Sequence, residues 1–153
     1  MHYDIYTDGA CSKNPGPGGY AFVVIKEGEK PLAGYGGKQN TTNNHMELMA
    51  IVRALKFVTG SKRKRLDVTI YSDSAYCVNS IVNGYITFWE LNDWKTKSNS
   101  QVKNLELWKE YLSIVRNNKL LKLRFVKVKG HSGDKYNEMV DRLAKGAIKD
   151  LNV

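Results

Sequence analysis

The period of the hydrophobic repeat changes at residue 44, and that change constrains the fold more than any other feature. Before it the repeat is two: Tyr3, Ile5 and Thr7 alternate with Asp4, Tyr6 and Asp8, so residues 3–11 read as a strand half-buried on one face. The turn-rich Asn14-Pro15-Gly16-Pro17-Gly18-Gly19 follows, and Tyr20–Ile25 and Leu32–Gln39, parted by the polar Lys26–Lys30 turn, complete an antiparallel trio. From Asn44 onward Leu48, Ile51, Val52, Leu55 and Val58 recur at spacings of three and four until Gly60, which predicts a helix. Next come a strand at Leu66–Ser72, a short helix from Ser74 to about Asn83, and a helix over Val102–Asn117 with Leu105, Trp108, Leu112 and Val115 on one face. A strand at Leu121–Val128 and a last helix carrying Val140, Leu143, Ala144, Ala147 and Ile148 end the chain. A three-strand meander followed by alternating helix and strand implies an α/β protein, a mixed sheet flanked by helices.

No repeat, linker or low-complexity tract breaks this order, so residues 1–153 are expected to form one domain. Twenty-four Lys and Arg against fifteen Asp and Glu give a formal charge of +9, which favours a polyanionic partner. No apolar run approaches the roughly 18 residues of a spanning helix, and the first strand is interrupted by polar residues, so no membrane partner is expected. Cys11 and Cys77 form no metal or redox pair in sequence and are expected to be idle thiols in a reducing cytoplasm.

Against this basic background four acids stand out. Asp8 closes the first strand and Asp73 follows the fourth; if those strands are parallel neighbours, about 4.8 Å apart, both carboxylates share the carboxyl edge where α/β sites form. Glu47 lies in the first turn of the long helix and Asp141 beside the apolar stripe of the last one. Each has an ordinary structural explanation. Asn44 and Glu47 have capping-box spacing, Asp73 could cap the next helix, Asp141 could pair with Lys145, and Asp8 could accept from turn amides.

The local sequences tie the four together. Tyr6-Thr7-Asp8-Gly9, Asn14-Pro15-Gly16-Pro17-Gly18-Gly19-Tyr20, Thr42-Asn43-Asn44-His45-Met46-Glu47-Leu48, Ser72-Asp73-Ser74, Val128-Lys129-Gly130-His131-Ser132-Gly133 and Asn137-Glu138 with Asp141 occur in that order. The chain resembles type 1 ribonuclease H along nearly its whole length. The resemblance implies a ribonuclease H-like fold, a five-stranded mixed sheet of order 3-2-1-4-5. It implies an endonuclease that hydrolyses the RNA strand of RNA/DNA hybrids and leaves 5′-phosphate and 3′-hydroxyl ends, as a monomer with no obligate protein partner. It also implies that Asp8, Glu47, Asp73 and Asp141 hold two Mg²⁺ ions, with Mn²⁺ as a substitute, and that His131 assists catalysis. An acidic cluster suits that role independently, because Mg²⁺ prefers hard oxygen ligands shared between carboxylates, phosphate and water.

By the same resemblance, Gly9, Cys11, Asn14 and Asn44 are candidates to meet the RNA strand and its 2′ hydroxyls, and Thr42 with Asn104 match a pocket for a phosphate of the DNA strand. Where an Arg often completes that pocket this chain has Asn40, and where some members carry Gln it has Ala75. Tyr85–Lys97 resembles the basic protrusion of longer bacterial enzymes through Trp89, Trp94, Lys95 and Thr96, with Glu90, Leu91, Asn92 and Asp93 in place of its basic cluster. Trp89 and Trp94 can equally be read as packing. The densest basic run, Lys62-Arg63-Lys64-Arg65, enters the fourth strand at its amino end, about 20 Å from Asp73 at 3.3 Å per residue, well beyond a Debye length of about 8 Å. Lys95, Lys97 and Lys103 are therefore expected to face the hybrid instead. A DNA nuclease or resolvase on the same fold, or a silent hybrid-binding module, are the competing readings.

Overall fold

The computed structural model describes residues 1–60, 65–129 and 133–151. Strands β1 (His2–Cys11), β2 (Gly16–Ile25) and β3 (Leu32–Thr41) form the meander, and helix α1 (Asn43–Thr59) follows. Then come β4 (Leu66–Ser72), α2 (Ala75–Val82), α3 (Tyr85–Leu91), α4 (Leu105–Asn117), β5 (Leu121–Lys127) and α5 (Lys135–Asp150). The sheet order is β3-β2-β1-β4-β5, the order that the resemblance implies. β1 runs antiparallel to β2 and parallel to β4, and β4 runs parallel to β5.

The sheet buries both faces, each against a different helix set. On one side Ile5, Val68 and Ile70 from the strands meet Leu48, Ile51 and Leu55 of α1 and Trp108 of α4, all fully buried. On the other, Ala21 and Val23 of β2 meet Val140 and Ala144 of α5. Each large aliphatic side chain so enclosed contributes roughly 1.5–3 kcal/mol, so α1 and α5 are fixed to the sheet by their apolar stripes. Gly19 lets α5 approach closely, because a Cβ there would stand 3.0 Å from the Ala147 Cβ. Tyr6 stacks on Tyr71 at 4.6 Å between ring centroids and lies 5.5 Å from Tyr136, which ties the start of α5 to β1 and β4. α1 and α5 are thus held rigidly where their first turns reach the carboxyl edge of the central strands.

Four local expectations are corrected. β2 begins at Gly16, not Tyr20, because the glycine-rich turn residues pair with β3 through a register shift between Gly16 and Gly18. The α1 cap is Thr42, whose hydroxyl accepts from the His45 N–H at 3.2 Å, so Asn44 and Glu47 form no capping box. Ser74, not Asp73, caps α2 by accepting from the Cys77 N–H at 3.1 Å. α4 starts at Leu105, since Val102 is buried in a non-helical approach and donates its N–H to the Trp94 carbonyl at 3.0 Å.

Candidate active site

The parallel register of β1 and β4 sets Tyr6 beside Tyr71; two residues further on come Asp8, within β1, and Asp73, just past the end of β4. Their carboxylates therefore meet at one edge for a reason written in the pairing itself. Glu47, in the second turn of α1, is only 8% exposed, and its carboxylate accepts the Gly9 N–H. Gly9 is needed for this approach: a Cβ on it would come within 2.8 Å of the Glu47 Cα. One carboxylate oxygen each from Asp8, Glu47 and Asp73 can be chosen so that all lie within 4.8 Å of one another.

Asp141 lies outside that close trio but lines the same cleft of about 270 Å³, together with Asp8, Gly9, Cys11, Asp73 and Glu138. Its carboxylate is paired with Lys145 Nζ at 3.1 Å, one helical turn on, as the spacing allowed. Lys145 was read from the i, i+4 spacing as a partner for Asp141, whereas Glu138, quoted only within the motif, was not named as a site residue.

Burial and mutual repulsion weigh on these acids. Desolvation, with the nearby charges of Asp73 and Asp141, pushes the Asp8 carboxyl up to about 6, although bonds from Glu47 and from the Gly9 N–H at 2.9 Å act in the opposite sense. Burial pushes Glu47 well above the ordinary carboxylate range, and a proton shared with Asp8 adds to this. Like charges crowded in a partly desolvated cleft are unfavourable unless protons or a cation neutralise them. Hard oxygens converging from three elements are the donor set that a small divalent cation takes, so the residues fit the metal that the resemblance implies.

A second, polar groove of about 390 Å³ is lined by Asn14, Thr42, Asn44, Tyr76, Lys103 and Asn104. Five of these were sequence candidates, brought together from the β1–β2 turn, the start of α1 and the start of α4. Asn14 Oδ1 accepts the Asn43 N–H at 3.1 Å, fixing the turn to the helix. Tyr76 was missed, because nothing in the spacing of α2 shows that its hydroxyl reaches this groove. Asn40 is exposed on β3 and does not line the groove. Cys11 is half-buried and points its Sγ at the carbonyls of Lys13, Gly16 and Thr41, at 2.6, 3.3 and 3.4 Å.

Trp89 and Trp94 both pack on the main core, Trp89 with its ring 6.0 Å from that of Trp108 and Trp94 beneath Lys109. Trp89 also lines an open cleft with Tyr85, Phe88, Thr96 and Lys97. Lys95, Lys97 and Lys103 are exposed, Lys103 at the polar groove, Lys97 at this aromatic cleft and Lys95 in a bridge to Gln101. His131 and Lys62 to Lys64 lie outside the described residues.

A carboxylate cluster at the carboxyl edge of a 3-2-1-4-5 mixed sheet, in a strongly basic chain, is the arrangement of the ribonuclease H-like fold. Comparison with known proteins agrees. Residues 1–149 match the family profile described as RNase H. The chain is 47% identical over 148 residues to the Ribonuclease H of Caldicellulosiruptor saccharolyticus, and 47% identical over 148 residues to that of Syntrophomonas wolfei, with 96% of each chain covered in both cases. LC9-RNase H1, described as a type 1 RNase H with the type 2 active-site motif, superposes with a TM-score of 0.80 at 29% identity, over 97% of this chain and 72% of that one. LC11-RNase H1, solved in complex with RNA/DNA hybrid, superposes with a TM-score of 0.75 at 25% identity over 99% of both chains. The chain belongs to the RNase H family.

Proposed function

We propose that this protein is an endonuclease that hydrolyses the RNA strand of RNA/DNA hybrids, leaving 5′-phosphate and 3′-hydroxyl ends, as a monomeric single domain in the cytoplasm. The observation that carries the reading is the carboxylate trio of Asp8, Glu47 and Asp73 within 4.8 Å in a member of this family. Two Mg²⁺ ions, or Mn²⁺ in their place, held by these three and Asp141 would supply the activation of water and the stabilisation of the leaving 3′ oxygen.

The chain's own residues do the rest. The Gly9 N–H holds the Glu47 carboxylate, and the paired ends of β1 and β4 hold Asp8 against Asp73, so the ligand set is arranged before substrate arrives. Lys145 neutralises Asp141 until a cation takes over that carboxylate. Gly9 and Cys11 line the acidic cleft and Asn14 and Asn44 the groove, which supports assigning them to the RNA strand, whose 2′ hydroxyls distinguish it from DNA. Thr42, Lys103 and Asn104 offer donors to a phosphate of the DNA strand, and Trp89, Trp94, Lys95 and Lys97 extend the contact along the protrusion. His131, by its motif, is assigned proton transfer or help in product departure.

Incubating labelled RNA/DNA hybrid, duplex DNA, duplex RNA and single-stranded RNA with Mg²⁺ or Mn²⁺ tests this. Cutting confined to the RNA of the hybrid is expected. Preference for duplex DNA would place the chain with DNA nucleases of the same fold, and tight binding without cutting would make it a hybrid-binding module.

A further inference from the structure

The polar groove contains a hydrogen-bonded chain in which each member fixes the next. Trp108 Nε1 can only donate, and it gives its hydrogen to the Tyr76 hydroxyl at 3.0 Å. Asn104 Nδ2 also approaches that hydroxyl, at 3.1 Å, and the hydroxyl lies 3.5 Å from the Lys103 carbonyl as its own acceptor. The Tyr76 hydroxyl directs its own hydrogen at the Lys103 carbonyl and takes one donor from Trp108, so toward Asn104 it can only accept; Asn104 therefore turns its Nδ2 toward Tyr76 and its Oδ1 the other way. There Oδ1 meets His45 Nδ1 at 2.9 Å, so that nitrogen carries the hydrogen.

Asn104 itself is unusual. It is the residue before α4, in the left-handed conformation at φ 60°, and its side chain makes no capping bond to that helix. An N-cap asparagine in the usual extended conformation turns its oxygen onto the first helical amides, and the left-handed conformation of Asn104 takes it out of that geometry. Here the oxygen is given to His45 instead, and the second Nδ2 hydrogen has no partner among the described residues. His45 does not line the groove, whereas Asn104 does.

Accordingly, we infer that His45 is a positioning residue for nucleic-acid binding: through Nδ1 it holds the Asn104 carboxamide with its second amide hydrogen, not its oxygen, available to a backbone phosphate. The inference rests on the proposed hybrid-cleaving function and names the device that prepares its phosphate groove. The device matters because the groove is poor in charge. Lys103 is the one cationic side chain among the groove's lining residues. Where neutral dipoles do the attracting, their direction decides the sign: a reversed carboxamide would present oxygen to oxygen.

The experiment is steady-state cleavage of labelled hybrid by the full-length protein and three single variants. His45→Phe keeps a ring and removes both nitrogens. His45→Asn places an amide donor on Cγ, where Nδ1 stands in the imidazole. Tyr76→Phe frees the carboxamide from the opposite side.

His45→Phe is expected to raise KM about tenfold, the scale of one hydrogen bond to an anion, with kcat within about twofold of wild type. His45→Asn should keep KM near wild type, and Tyr76→Phe should raise it. In an Asn104→Ala background, His45→Phe should have no further effect, since nothing remains to be positioned. Unchanged KM in both His45→Phe and Tyr76→Phe overturns the inference, as does a full His45→Phe effect in the Asn104→Ala background, which would mean direct contact. A fall in kcat without a rise in KM, or failure of His45→Asn to restore KM, also overturns it by pointing to disturbance of α1. If His45→Phe does not fold, Tyr76→Phe and His45→Asn decide by the same criteria. Failure of wild type to bind or cut hybrid removes the functional reading itself; wild-type cutting that is indifferent to His45 removes only this inference.

Discussion

The acidic cleft and the polar groove both adjoin the start of α1 yet are built on opposite principles. In the cleft the fold forces like charges together: Glu47 is buried, Asp8 is raised to about 6, and Asp73 stands within the same 4.8 Å set. In the groove, neutral partners satisfy one another in a chain from Trp108 through Tyr76 and Asn104 to His45. The charged cleft is unfavourable unless protons or a cation neutralise it, whereas the groove's partners already satisfy one another. On the proposed function, chemistry falls where the chain crowds like charges and substrate positioning where it does not. The two regions should fail differently when altered.

The largest effect should come from the cleft. Asp73→Asn is expected to keep the fold and nearly abolish cleavage, because an amide binds a hard cation poorly. Near-normal turnover of the purified variant on hybrid at saturating Mg²⁺ would break the contrast between the two regions at its centre. His131→Ala should cost less, because general acid or base help is worth about 10² to 10⁴ and water can take over part of it. Turnover measured beside that of Asp73→Asn checks this; an equal loss would give His131 a more direct role.

The groove and its protrusion should respond in KM. Replacing Lys95, Lys97 and Lys103 together with Gln should raise KM and flatten its dependence on salt, because fewer counterions are released on binding. Replacing Lys62 to Arg65 should change either little. A salt series on both variants decides between them, and a larger defect in the second would mean that the hybrid lies elsewhere.

The smallest effect concerns stability. The Asp8 carboxyl is raised from 3.8 to about 6 on folding, so its contribution favours the fold fully only below the unfolded value and is lost as pH rises through about 6. In chelator at pH 7.5, Asp8→Asn should therefore unfold several degrees above wild type, and the gap should close toward pH 4. Thermal unfolding at both pH values measures it; a gap unchanged by pH would show that Asp8 is not held against its charge.

How much of this was legible in the sequence depended on periodicity. The two-residue repeat up to Asp8 and the apolar run before Asp73 located two metal-site candidates, although β1 continues to Cys11 and Asp8 stands beyond its last pairing with β4 and not at the strand's end. Glu47 was found as a candidate, but its spacing from Asn44 suggested a cap; only packing shows that Thr42 caps the helix and that Glu47 turns to Gly9. The segment from α3 to α4 was the least legible. Asp93, Trp94, Asn99 and Asn104 all have positive φ, between 56° and 66°, so the chain reverses without any repeat to betray it. The role of Tyr76 was hidden for a related reason, since its partners Asn104 and Trp108 are 28 and 32 residues away.

The central claim is that the cleft is a cation site by construction, independent of substrate. Titrating Mn²⁺ into metal-free wild type and Asp73→Asn by calorimetry, at neutral pH and without nucleic acid, tests it most directly. The account predicts saturable binding to wild type that is lost or greatly weakened in Asp73→Asn, with the two proteins equally folded by circular dichroism. Equal binding by both, or none by either, would contradict it.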